Sequence, residues 1–403
     1  MKRRVLFITQ YFYPETFRGN DIAFDMARRG WDVTVVTAVP NYPQGRFFRG
    51  YGLWKRRCEE VNGVHVVRVP VVPRGNNPLT LALNYLSYAL CASAFTFFHL
   101  LRHCYDLCFL QQLSPVTTCL PAVVFHKMTG RPLLTWVLDL WPESLQAAGG
   151  IRNRHVLAAF AAVARMEYRH SARILISSQP FRQAIAQQQS DFGEKTVWFP
   201  NWAEPSRTRP IRGLKLPMLP KGFRIMFAGN VGEAQDFDHI VEAAQLARGT
   251  DIRFVVVGDG RKRPWVEEQI RIHGLQDNLS LVGHFPPEAM YTLFAQADVM
   301  LAALKDEPVF NLTLPAKIQT YMASGRPIVA MTNGAVADTL REAQCGLTVA
   351  AGDPEALIET IKSMRQMTRE EREQMGQNGK RYCREHFDKQ TCLDHLYQII
   401  EQL

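Results

Sequence analysis

Leu304-Lys-Asp-Glu-Pro-Val-Phe-Asn-Leu-Thr-Leu-Pro-Ala-Lys-Ile-Gln-Thr-Tyr-Met-Ala-Ser-Gly-Arg-Pro327 follows the apolar run Val299-Met-Leu-Ala-Ala-Leu304, which reads as a buried strand. The stretch is a polar loop that closes with a short helix. That helix is expected to open at Pro315, because the first helical turn does not need the missing N–H. The N–H groups left free there, with Thr313 before them and Lys317 one turn in, make a site for an anion. A strand, a polar loop and a helix N-terminus form the phosphate-handling corner of an open α/β sheet.

The same alternation runs outward from this corner. Phe223–Ala228, Arg253–Val257, Leu279–Val282 and Ile328–Met331 read as strands separated by helices. Nearer the N-terminus, Arg4–Thr9, Asp32–Thr37, Val64–Val72, Leu107–Gln111, Leu133–Val137, Ile174–Ser177 and Thr196–Phe199 read as strands. Helices are expected between them at Asp21–Arg29, Leu79–Leu101, Pro115–Met128, Arg154–His170 and Phe181–Gln188. Short apolar runs alternating with helices point to parallel sheets covered on both faces. Pro200-Asn-Trp-Ala-Glu-Pro205 leads into an aperiodic stretch rich in Pro and Arg, which reads as a linker. The expected fold class is α/β, with two doubly wound, Rossmann-like domains facing each other across a ligand cleft. Residues 1–200 form the first domain, 201–222 the linker and 223–385 the second domain. The last helix, in residues 386–403, is expected to pack back toward the first domain.

The 403 residues, 47% hydrophobic and 21% charged, suit two domains of ordinary size. A net charge of +9 suits nucleic acid, an anionic membrane or a phosphorylated ligand. With no zinc-finger spacing, no RNP-like strand and no long Lys/Arg block, nucleic acid is set aside. The eight cysteines are scattered without a CxxC and read as buried thiols in a reducing cytoplasm. No signal peptide is expected, because Met1-Lys-Arg-Arg leads straight into Val5-Leu-Phe-Ile-Thr9. Leu79–Leu101 carries no formal charge and is long enough to span a bilayer. It also holds Asn84, Ser87, Ser93, Thr96 and His99 and lies between two strands of one sheet, which favours an interfacial helix over a span. Arg68, Arg74, Arg102 and His103 flank it and suit an anionic surface. A helix simply buried in its own domain is the remaining reading.

Several loops at strand ends carry candidate chemistry. Gly229-Asn-Val-Gly232 lets a backbone approach a pyrophosphate, although a tight βα turn explains it equally well. Asp236-Phe-Asp238 resembles a metal-binding DxD but reads better as a helix cap. Gly258-Asp259-Gly260 leaves room at a strand end or is a plain turn. His284 and Phe285 lie where a flat base could stack, or in a turn set by Pro286 and Pro287. In the first half, Gly19 permits close approach of a ligand, and Asn20 caps the first helix or binds a hydroxyl. Asn41, Tyr42 and Trp141 lie in further strand-end loops. Asp139 and Glu143 read as one base and one hydroxyl binder, or as solvated carboxylates.

Taken together, Phe227-Ala-Gly-Asn-Val-Gly232, Val257-Gly-Asp-Gly260, Leu281-Val-Gly-His-Phe285 and Pro315–Pro327, with Tyr13-Pro-Glu15 and Asp139-Leu-Trp-Pro-Glu-Ser144, resemble a nucleotide-sugar glycosyltransferase of the GT-B fold, family 4. The likeness covers essentially the whole chain. It is most similar to the subgroup of colanic acid and O-antigen fucosaminyltransferases. The resemblance implies a retaining, metal-independent enzyme without a cofactor, peripheral at the cytoplasmic face of the bacterial inner membrane. Its donor would be a nucleotide diphosphate sugar, a UDP-sugar before a GDP-sugar, and its acceptor a polyprenyl-pyrophosphate-linked saccharide. The donor would meet Gly229, Asn230, Val231, Gly232, Gly258, Asp259, Gly260, His284, Phe285 and the loop Phe310-Asn311-Leu312-Thr313. Lys317 would counter the departing diphosphate, with Asp139 and Glu143 as the other catalytic candidates. Gly19, Asn20, Asn41, Tyr42 and Trp141 would face the acceptor. The chain departs from relatives at Thr320, where they place a ribose-binding glutamate, and near Leu312, where an earlier glutamate falls. It departs again at Glu233-Ala-Gln-Asp236, where they place an Arg and a Lys. Two rival readings remain, a nucleotide-sugar epimerase of the same fold and a catalytically silent nucleotide-sugar-binding scaffold.

Overall fold

The computed structural model describes residues 2–75, 77–149, 151–203 and 216–403. Most of the expected linker, 204–215, lies outside the described residues. The chain divides into two units, Met1–Phe199 with Leu393–Leu403, and Pro200–Cys392.

The first unit holds β1 (Arg4–Ile8), β2 (Asp32–Ala38), β3 (Cys58–Val61), β4 (Val64–Val69), β5 (Leu107–Gln112), β6 (Leu133–Val137), β7 (Arg173–Ile176) and β8 (Thr196–Trp198). Their order across the sheet is β3-β4-β2-β1-β5-β6-β7-β8. Every pairing is parallel except β3 with β4, a short antiparallel hairpin that the sequence pattern did not announce. Strand order reverses between β1 and β5, so their C-terminal ends open a crevice. The helix Lys389–Glu401 starts in the second unit and ends in the first. Its Tyr397 hydroxyl donates to Asp25 at 3.0 Å, and Asp394 pairs with Arg29.

The second unit holds β9 (Phe223–Ala228), β10 (Ile252–Val257), β11 (Leu279–Gly283), β12 (Val299–Ala303), β13 (Ile328–Met331) and β14 (Gly346–Val349). These six are all parallel, in the order β11-β10-β9-β12-β13-β14. The reversal falls between β9 and β12, the two strands that carry the Gly-rich loop and the quoted stretch. Phe227, Phe254, Val256, Leu301, Val329 and Ile361 belong to the core beneath them.

The apolar helix spans Pro78–Leu100, started by Asn77, whose side chain accepts from the Thr80 N–H at 2.8 Å. Its polar residues face inward. The fully buried Asn84 accepts from Gln10 at 2.8 Å and donates to the Val72 carbonyl at 2.6 Å. Tyr88 reaches the Val36 carbonyl, and Ala89, Ala92 and Thr96 continue the buried side. Leu79, Leu83, Leu86, Leu90, Phe97, Phe98 and Leu101 stay exposed. The hydrophobic pattern is thus inverted relative to a soluble amphipathic helix. The helix is long and apolar enough to cross a membrane, yet 28% of its most apolar window is buried in its own unit. The expected basic flank is corrected in part. Arg68 is fully buried and paired with Glu59 at 2.6 Å, and Arg74 binds the Tyr11 hydroxyl at 3.1 Å, while Arg102 and His103 remain exposed. Replacing Asn84 with Leu is expected to cost about 1–3 kcal/mol, because Gln10 and Val72 lose their partner inside the unit. A denaturant melt checks this.

Candidate functional site

In the second unit three strand-end loops are zipped together by their backbones. Gly229 N–H donates to the Val257 carbonyl at 2.9 Å, Val231 N–H to Asp259 at 2.8 Å and Gly258 N–H to Gly283 at 2.8 Å. Gly258 sits at φ +147°, and a Cβ there would lie 1.9 Å from the Gly229 carbonyl oxygen. Only glycine fits this contact. Gly258→Ala is expected to destabilise the unit by about 2–4 kcal/mol, read as a lowered thermal midpoint. Gly260 N–H is held by the Asp259 carboxylate and Gly232 N–H by Gln235. Val231 turns its side chain into the core and gives its carbonyl to Lys262 N–H. The N–H groups of Gly229, Val231 and Gly232 are thus engaged within the loops. These loops shape a floor, and side chains must supply the charge.

Lys317 supplies it. The helix Ala316–Ser324, with Pro315 at its N-cap rather than in its first turn, aims this side chain under the Gly-rich loop. A Cβ on Gly229 would lie 3.3 Å from the Lys317 Nζ. The Nζ is buried, lies 4.1 Å from the centroid of the Phe227 ring, and has no hydrogen-bond partner among the described residues. Burial pushes its pKa down to about 7. Tyr321, one turn on, donates to the Ala228 carbonyl at 2.7 Å and accepts from the Ala228 N–H at 2.8 Å, fixing the helix to the end of β9. An anion bound here would hold the proton on Lys317. Affinity for a nucleotide sugar is then expected to fall as pH rises above about 7, at up to about tenfold per unit. Titration calorimetry across that range checks this, with Lys317→Met flat.

Beside the floor is a group of four charges, of which sequence reading missed the two lysines. Lys262 and Lys305 share Glu233 and Asp238: Lys262 bonds Asp238 and lies 3.8 Å from Glu233, and Lys305 lies 3.6 Å from Glu233 and 3.8 Å from Asp238. Burial raises Asp238, but the hydrogen bond and charge of Lys262, with Lys305 behind, take its carboxyl below the usual range. The two lysines offset the two carboxylates. Their position just after Gly258-Asp-Gly260 and at the end of β12 was the available signal. Asp236 does begin the helix Phe237–Leu246, but its carboxylate binds His239 Nδ1 at 2.8 Å instead of capping.

The loop expected at Phe310–Thr313 is mostly a short helix, Pro308–Leu312, started by Pro308. Asn311 donates to Asp306 at 3.0 Å, and its Oδ1 is buried without a partner among the described residues. Thr313 binds the Val309 carbonyl at 2.7 Å, and Thr320 binds the Ala316 carbonyl at 3.3 Å. His284 is exposed and Phe285 half-buried after β11, beside Gly258. Among the described residues no three His, Cys, Asp or Glu side chains gather as a metal site.

In the first unit most expected acceptor residues are structural. Gly19 lies in the helix Arg18–Arg28, where a Cβ would meet the Gln111 Oε1 at 2.0 Å; it makes room for Gln111, not for a ligand. Asn20 lies inside that helix rather than capping it, and donates to the Glu15 carbonyl at 2.7 Å. Asn41 is fully buried between the Val39 carbonyl and Arg74 N–H. Trp141 is 5% exposed and packs on Phe160. Tyr42 alone of these is exposed, with the Arg74 guanidinium 5.2 Å from its ring centroid. Asp139 accepts from the Ser114 hydroxyl at 2.7 Å, and burial raises its pKa. Glu143 begins a short helix, its Oε2 buried without a partner among the described residues. Glu15 was missed as a site residue. Its Oε1 accepts from Asn41 and Tyr42 N–H, its Oε2 has no partner among the described residues, and burial pushes it up to about 7.

Each unit thus has a crevice at a strand-order reversal, the place where open α/β sheets bind ligands. Residues 222–366 match the family described as glycosyl transferases group 1, and residues 20–202 match the glycosyl transferase 4-like domain. Together the two matches cover most of the chain, which carries both domains of a glycosyltransferase. It is 24% identical over 355 residues to the Escherichia coli (strain K12) colanic acid biosynthesis glycosyl transferase WcaI, covering 85% of each chain. Its structure is similar to sucrose-phosphate synthase from Thermosynechococcus elongatus, with a TM-score of 0.77 at 15% identity over 100% and 99% of the chains. It is also similar to Anabaena HepE solved in complex with UDP, with a TM-score of 0.68 at 15% identity over the whole of both chains. The fold is GT-B.

Proposed function

We propose that this protein transfers a sugar from a nucleotide diphosphate sugar to a polyprenyl-pyrophosphate-linked saccharide, in the synthesis of a bacterial surface polysaccharide. The carrying observation is the buried, unpartnered Lys317 ammonium beneath Gly229, at the strand-order reversal of the second unit. A buried lysine without a counter-charge is unfavourable unless a ligand supplies one. A diphosphate at this place would do so, and charge developing on the leaving group would be met without a metal or cofactor. HepE, solved with UDP, favours a UDP-sugar over a GDP-sugar. The name of the Escherichia coli relative supports a polysaccharide acceptor, and the subgroup resemblance suggests N-acetyl-L-fucosamine or a related deoxy sugar as the group moved, with retention. In the first unit Asp139, Glu143 and Glu15 are the carboxylates available to hold an acceptor hydroxyl. The exposed leucine stripe of Pro78–Leu100 would seat the protein peripherally at the cytoplasmic face of the inner membrane.

A thermal-shift panel of UDP, GDP and dTDP tests the donor, the stabilising nucleotide naming its class. Incubation with the matching nucleotide sugar and a panel of lipid-linked acceptors then tests the reaction. Donor binding with neither transfer nor slow hydrolysis would leave a silent scaffold. A changed donor sugar without acceptor would mean an epimerase.

A further inference from the structure

Between β2 and β3 the chain makes a tight turn whose tip is Leu53-Trp54. Gly52 and Lys55 form an isolated antiparallel bridge, with Lys55 N–H donating to the Gly52 carbonyl at 3.2 Å. Trp54 is 88% exposed and Leu53 40% exposed. The base of the turn is firmly held. Arg68 N–H donates to the Arg57 carbonyl at 2.7 Å, Arg57 Nε to the Arg68 carbonyl at 3.2 Å, and Arg68 Nη1 to the Arg56 carbonyl at 3.2 Å. The Arg68 guanidinium also lies 4.8 Å from the centroid of the Tyr51 ring. A rigid base thus displays a large aromatic residue to solvent, where its burial would be favourable.

Charge indicates what covers it. Arg46, Arg49, Lys55, Arg56 and Arg57 lie on this segment, and no Asp or Glu occurs between Asn41 and Cys58. The nearest acid, Glu59, is paired with the buried Arg68. Phe47 and Tyr51, which lead into the turn, pack on the same core cluster as Cys91, Phe95 and Leu100 of the helix Pro78–Leu100. Indole at the tip with basic residues around it is the composition of a membrane-interface anchor.

We propose that the turn Gly52–Lys55 is a second attachment to an anionic bilayer, with Leu53 and Trp54 entering the headgroup layer and Lys55 and Arg56 binding lipid phosphates. This rests on the reading that the protein works at a membrane surface. It adds a point of contact remote in sequence from the apolar helix, and two contacts fix an orientation that one leaves free.

The test uses the full chain and vesicles containing about one-third phosphatidylglycerol, with brominated acyl chains as fluorescence quenchers. The chain has seven tryptophans, so Trp54→Phe isolates the contribution of Trp54. Bromolipid quenching present in wild type and lost in Trp54→Phe is expected. A vesicle affinity about tenfold weaker in Lys55→Glu/Arg56→Glu is expected alongside it, with an unchanged circular dichroism spectrum. Sedimentation with vesicles, but quenching and affinity unaltered by these variants, overturns the turn as an attachment and leaves attachment through the helix standing. Wild-type protein that stays in solution with the vesicles overturns both.

Discussion

Lys317→Met is expected to make the protein more stable and nearly inactive. Methionine fills the space of the lysine stem but brings no charge beneath Gly229. The Nζ it removes is buried, without a hydrogen bond, and depressed to a pKa of about 7. Its folded pKa lies below the unfolded value, so between about 7 and 10.4 the unfolded chain holds the extra proton and stability rises with pH. The lysine is thus most destabilising at and below neutral pH. At pH 7 the substitution should add about 1–3 kcal/mol, the Phe227 contact offsetting part of the gain, and the advantage should shrink toward about pH 10. Transfer should fall by about 10²–10³-fold, the usual loss when a preorganised charge aimed at a leaving group is removed. Thermal melts across pH and turnover with a nucleotide sugar are the two measurements. A melt that moves down would mean that the ammonium stabilises the empty fold. Near-normal turnover would remove Lys317 from the reaction.

Leu86→Glu combined with Leu90→Glu is expected to release the protein from anionic vesicles without unfolding it. Both side chains are more than half exposed on the helix Pro78–Leu100, so their replacement disturbs little inside the unit. Each leucine buried in lipid contributes about 1.5–3 kcal/mol, and each glutamate adds repulsion from the anionic surface. Together the pair should weaken partitioning by at least about a thousandfold, seen as protein moving from vesicle pellet to supernatant. Equal sedimentation of the folded variant and wild type would show that this face does not meet lipid.

Much of the architecture was legible because it rests on local pattern. Apolar runs of strand length marked twelve of the fourteen strands among the described residues; the short β3 and β14 gave no such run. Lys317 was legible for the same local reason, one turn beyond a proline after a buried strand. The surroundings of polar residues in strand-end loops were not legible in this way. Asn20, Asn41, Gly19 and Trp141 have the composition of a ligand site, yet their partners are Glu15, Arg74, Gln111 and Phe160. A polar residue that satisfies a buried backbone and one that meets a substrate look the same in sequence.

The chain by itself determined the two parallel-sheet units, the loops that lie at their strand ends and the apolar length of Pro78–Leu100, since periodicity and turn chemistry act over a few residues. Only the tertiary structure decided which charges are free. Arg68 was buried against Glu59, Lys262 and Lys305 were drawn to Glu233 and Asp238, and Lys317 was left without a partner among the described residues. Pairing and desolvation depend on groups brought together from distant parts of the chain, and those distances exist only after folding.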